Sequence, residues 1–176
     1  MTDKPLMYTR VIAAVCMSML GTTPATANEA SQFLASLEGE YAGRGEAQLL
    51  GESADRIACR INNSFDASAN TLSLSGECAS TKGKDAVQGR IVANGSGITG
   101  SFVSPRDSVE VTQSSGTYKN GEMILSASFF DKRVQKLTKV RQIVSRTDSG
   151  ITAQFMTFDN KSGSYRPTGQ INLKKR

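Results

Sequence analysis

Histidine and tryptophan are absent from these 176 residues, cysteine occurs three times and proline four. Each shortage removes a class of chemistry. Without histidine there is no Ser-His-Asp or Cys-His catalytic arrangement and no ordinary zinc site. Without tryptophan no indole is available to wall a pocket. No Gly-rich loop precedes Lys-Ser or Lys-Thr at the phosphate-cradling spacing, and Ser80-Thr81-Lys82-Gly83-Lys84 reads as an exposed turn. Glu38 with Glu40 reads as solvated charge, and Ser128 near Lys132 or Ser162 near Lys161 are chance neighbours in a chain rich in both residue types. The expectation is a protein that is not an enzyme and carries no cofactor and no metal.

Long hydrophobic runs are missing too. The longest, residues 11–20, holds about ten largely apolar residues, short of the roughly 20 that span a bilayer. It follows Lys4 and Arg10 and precedes the small residues Ala25-Thr26-Ala27, the three-part layout of a secretory signal peptide. Residues 1–27 are therefore expected to be a leader, with 28–176 one domain and the mature protein periplasmic or secreted, without a transmembrane segment. Lipidation at Cys16 is the weaker alternative, because Val15 is a poor residue before a lipidated cysteine. With Asp3, Lys4 and Arg10 set aside, 19 cations face 15 anions, a mild and scattered excess unlike the basic stripe of a nucleic-acid binder. Cys59 and Cys78 remain, and an even pair in an exported chain points to a disulfide.

What is present is alternation. Ala30, Phe33, Leu34 and Leu37 recur at helical spacing and predict a short N-terminal helix. After Gly39 the period changes to two, interrupted by turn-formers such as Asn94-Gly95, Asn120-Gly121, Asp148-Ser149-Gly150 and Asp159-Asn160. About ten strands follow, near 41–50, 56–65, 71–79, 87–93, 97–104, 109–118, 123–130, 137–146, 151–158 and 169–174. In 134–146 the spacing of Val134, Leu137, Val140 and Val144 also fits a basic amphipathic helix. The strand is preferred because Val140, Gln142 and Val144 alternate and a hairpin turn follows them. Pairing Cys59 with Cys78 across an antiparallel hairpin sets Ile61 against Gly76, Asn63 against Leu74 and Phe65 against Leu72, and drops the turn onto residues 67–70, where turn residues already lie. So many strands leave exposed edges unless the sheet closes. The fold class expected is all-β: a closed antiparallel up-and-down barrel of about 8–10 strands with a short N-terminal helix. Tyr41, Gly43, Gly45, Ala47 and Leu49 share one face of the first strand, and inward glycines there suit a barrel corner where another strand comes close.

The stretch Gly39-Glu40-Tyr41-Ala42-Gly43-Arg44-Gly45-Glu46 resembles the opening strand of lipocalin-like (calycin) barrels, whose Gly-x-Trp begins the barrel, and most of all the nitrobindin-like branch, where alternate glycines follow. Tyr41 stands where those families place Trp. The chain is also similar to a group of small exported proteins of alphaproteobacteria with a Gly-x-aromatic-x-Gly start and a cross-strand cysteine pair. The resemblance implies a barrel that binds a small molecule. Nitrobindins hold haem through a histidine; that chemistry does not carry over to a chain with none, leaving only Tyr118 or Tyr165 as substitute ligands. The bacterial metalloprotease inhibitors, small periplasmic barrels with one disulfide, resemble it in cysteine spacing and size, and insert a segment that would here be Asn28-Glu29-Ala30-Ser31-Gln32.

Two functions are carried forward. The first is an exported non-enzymatic lipocalin-like barrel binding a small apolar or amphipathic ligand in the periplasm, lined by Tyr41, Phe102, Met123, Leu125, Phe129 and Phe155, each of which would equally serve as core filling. The alternative is a periplasmic interaction protein, a protease inhibitor or an envelope-associated structural factor, with a filled barrel. The basic cluster Lys132, Arg133 and Lys136 and the end Lys174-Lys175-Arg176 are where an anionic envelope partner would touch.

Overall fold

A computed structural model describes residues 26–48, 53–95, 97–103, 109–132 and 135–176. The expected leader lies outside them, apart from Thr26 and Ala27 at the start of the helix. The chain runs α1 (Thr26–Ser36), β1 (Gly39–Ala47), β2 (Asp55–Asp66), β3 (Thr71–Ser80), β4 (Gly83–Asn94), β5 (Gly97–Val103), β6 (Val109–Lys119), β7 (Glu122–Asp131), β8 (Lys136–Thr147), β9 (Gly150–Asp159) and β10 (Ser164–Lys175). Every strand pairs antiparallel with its sequence neighbours, and β1 pairs with β10 to close the barrel. All ten expected strands are present. The ambiguous segment 134–146 contributes β8, which lies between β7 and β9.

The cysteine argument holds residue for residue. Cys59 faces Cys78, Ile61 faces Gly76, Asn63 faces Leu74 and Phe65 faces Leu72. The two cysteines form a disulfide between Cα atoms 4.1 Å apart. Asn120 (φ 53°) and Gly121 (φ 81°) turn β6 into β7, both in the positive-φ region that a tight two-residue hairpin needs.

Three strands differ in their bounds from expectation. β1, expected near 41–50, runs Gly39–Ala47, and Leu49 lies outside the described residues. β4 begins at Gly83 rather than near 87, so the turn before it narrows to Thr81 and Lys82. β10 begins at Ser164 rather than near 169, passing through Pro167 and a register shift between Pro167 and Gly169. Proline has no N–H to give a ladder, but β1 pairs with β10 only from Gly169 onward. Pro167 therefore sits where one edge of β10 has no partner strand to disappoint.

The opening glycines have a geometric cause. A Cβ at Gly43 would land on the Asn172 carbonyl, and one at Gly45 on the Gln170 carbonyl, both on β10. The seam closes only because those side chains are absent. Tyr41 on the same face is 3% exposed, and burial pushes its hydroxyl above the usual 10.0 against the opposing pull of Arg146. Its O–H donates to the Glu38 carbonyl at 3.4 Å.

α1 lays Ala30, Phe33, Leu34 and Leu37 into one end of the barrel, where they join Tyr41, Leu72, Ile91, Ile98, Met123 and Leu125 in one core. Phe33 stacks on Tyr118 with ring centroids 4.8 Å apart. The Asn63 amide N–H donates to the Leu37 carbonyl at 2.9 Å, tying the end of the helix to β2. This end is stoppered.

Candidate functional site

The two ends of the barrel are filled unequally, and the register shows where the change occurs. One inward row crosses the wall through Met123, Val144, Ala153, Ile171, Gly45 and Ile57. Its first four members are buried. The next row away from the helix runs Leu125, Gln142, Phe155, Gly169, Ala47 and Asp55. Here Leu125 alone is buried, and the others are half-exposed. Further toward that end Ala127, Phe129 and Val140 are half-exposed as well. Side chains that point inward yet stay partly wet mark an interior that the described residues do not fill.

Small residues explain the space. Ala47 and Ala127 stand on inward positions where a Leu or Phe would reach further into the interior, whereas Gly45 and Gly169 are glycine because β1 and β10 come too close there for any side chain. A cleft of about 560 Å³ opens at this end, within the range of small-molecule sites. It is lined from the inner rows by Gly45, Ala47, Phe155 and Gly169 and from the outer rows by Glu46, Gln154 and Gln170. It therefore lies at the rim of the β1–β10 seam, beside the β10 bulge. The Gln48 N–H donates to the Thr168 carbonyl at 2.6 Å, which ends the β1 pairing at the bulge.

Polar groups on the inner surface are few and mostly occupied. The Thr157 and Thr168 hydroxyls share a hydrogen bond of 3.1 Å. Ser114 donates to the Gly100 carbonyl. The Asp55 carboxylate accepts from the Thr81 hydroxyl at 2.9 Å, and that bond holds its pKa below the usual 3.8. The Gln142 amide stands between Leu125 and Phe155. Such a surface suits an apolar body with one polar end. No group of three or more His, Cys, Asp or Glu side chains is placed to hold a metal among the described residues.

The expected lining residues divide. Met123 (1% exposed) and Leu125 (2%) belong with Tyr41 to the core under the helix. Phe155 lines the cleft, and Phe129 lies half-exposed on the same inner face. Phe102 pairs with Gly89 on β4, and its side chain lies outside the described residues. Tyr118 packs under α1, while Tyr165 meets Phe158 and Arg141 on the outer face. Sequence reasoning missed Ala47, Gln142 and Gly169. A search for small or amide residues at inward parity, rather than for aromatics, would have found them.

The class defined by these features is a ten-stranded closed antiparallel barrel, stoppered at one end by α1. No family model matches the sequence, and no curated protein matches it. Among solved structures, it is similar in fold to Rv2717c from M. tuberculosis, with 12% identity and a TM-score of 0.61 over 84% of this chain and 98% of that one. At that identity the likeness concerns the fold alone.

Proposed function

We propose that the protein is an exported, non-enzymatic, lipocalin-like carrier that holds one small apolar or amphipathic molecule in the open half of its barrel. The observation that carries this reading is the partly exposed inner face around Ala47, Gln142 and Phe155, with the cleft of about 560 Å³ that Ala47 and Phe155 line. An ordinary barrel core has no reason to leave Phe155 and Phe129 partly wet. A ligand with an alkyl or ring body would cover them and place its polar end near the amides and hydroxyls of the rim. The cross-strand disulfide is consistent with an oxidising compartment such as the periplasm.

Native mass spectrometry of protein taken from its own envelope tests the proposal. A retained small mass is expected, lost on Ala47→Trp, which fills the cleft without touching the helical end. A co-purifying protein with no small mass, and no uptake of a fluorescent fatty acid, would instead favour an inhibitor or structural factor working through its surface.

A further inference from the structure

The outer face of β7–β10 breaks the alternation that a water-facing barrel wall should show. Leu137 is 52% exposed, the large apolar side chain left open among the described residues, and Phe130 stands beside it on β7. Lys139 holds its Nζ 5.7 Å above the Phe158 ring, and Arg141 its guanidinium 4.1 Å above the Tyr165 ring. The two rings meet edge to face at 5.3 Å. No carboxylate pairs with Lys139 or Arg141 among the described residues, where the acids Glu77 and Asp159 bridge to Lys84 and Arg166 instead. Glu122, on the same outward row of β7, lies at the far end of that strand and accepts from Ser145. The Arg141 Nε is shut off from water with no hydrogen-bond acceptor.

An exposed aliphatic side chain and partly exposed rings, set among cations that no carboxylate pairs, are what the boundary of an anionic bilayer recognises. We infer that this face docks on anionic lipid, an inference that rests on the carrier reading because the face reaches the end of the barrel away from α1, where that reading places the cargo. Phe130 is next to last in β7 and Leu137 second in β8, so both stand at the end away from α1. Docking there turns the unfilled half toward the bilayer from which an amphipathic cargo would come. A second copy of the chain fits less well, since pairing like faces would set Lys139 and Arg141 against their own duplicates.

The test uses protein recovered from the envelope of the cells that make it, floated with vesicles of phosphatidylcholine alone or mixed equally with phosphatidylglycerol. Binding is expected to the mixed vesicles, to weaken in high salt, and to fall at least about fivefold in Lys139→Glu. Leu137→Asp should weaken it too. Both variants should keep the parent's melting temperature and its uptake of a soluble fluorescent fatty acid, since neither residue lies on the inner face. Equal binding to both vesicle types, no binding to either, or full binding by the two variants overturns the inference. Vesicle binding without fatty-acid uptake upholds the docking face and removes the cargo, so the two readings fail separately.

Discussion

Gly43 and Gly45 are the residues on which closure turns. Glycine costs a strand backbone entropy, and a sequence keeps it where a side chain will not fit. Gly43→Ala should destabilise by roughly 3 kcal/mol, because its new methyl meets the Asn172 backbone rather than a side chain that can swing away. Gly97→Ala is the matched control: its Cβ would meet only the Asn94 carbonyl at 3.4 Å, an ordinary contact. Its effect should stay within about 0.5 kcal/mol. Urea unfolding of the two variants checks the contrast, and equal losses would mean the seam is looser than the structure implies. The alternate glycines were visible in the sequence, but which strand they accommodate was not. Asn172 lies 129 positions further along the chain, and nothing local marks it as the neighbour of Gly43.

Among elements, the β2–β3 hairpin was the most legible. Its register followed from two cysteines and a run of turn residues, and Asp66 confirms the turn by accepting from the Ser68 and Ala69 amides at 2.9 and 3.2 Å. The disulfide closes a loop across 19 positions, and by chain entropy it contributes about 3 kcal/mol. Reduction should lower the melting temperature by roughly 6–12 °C. Calorimetry with and without reductant measures it, and an unchanged temperature would show that the neighbouring ladders already hold β2 to β3. β10 was the least legible element. Pro167 and Gly169 punctuate the sequence like a turn, yet the chain passes through them as a bulged strand, because Pro167 lies beyond the stretch of β10 that pairs with β1.

At the scale of the whole molecule, acid should loosen the barrel through its turns. The Ser68 hydroxyl lowers the pKa of Asp66, the Lys161 amide N–H lowers that of Asp159, and the Thr81 hydroxyl lowers that of Asp55, each from 3.8. A carboxyl whose folded pKa is depressed contributes stability that is full above its unfolded value and lost as pH falls through the folded one. The melting temperature should therefore hold steady from neutral pH to about 5 and decline below about 4. Asp66→Asn with Asp159→Asn should lower it at neutral pH and flatten the acid limb. A parallel acid limb in that double variant would mean other carboxylates govern the transition. Asp66 and Asp159 flank surface hairpin turns and Asp55 holds Thr81 of the β3–β4 turn from the barrel rim, so the loss should be gradual rather than a collapse of the core.

The sequence alone determined the strand count, the helix, the antiparallel order and the cysteine register, because each follows from residues close together in the chain: a period of two, a turn signal, a hairpin. Only the tertiary structure decided how full the barrel is. Whether an inward Ala47 stays partly exposed or an inward Gly169 presses against a neighbouring backbone depends on strands brought together from more than a hundred positions apart. It likewise decided that the charges of β8 lie over the rings of Phe158 and Tyr165, since alternation assigns a residue to a face but not to the companions it finds there.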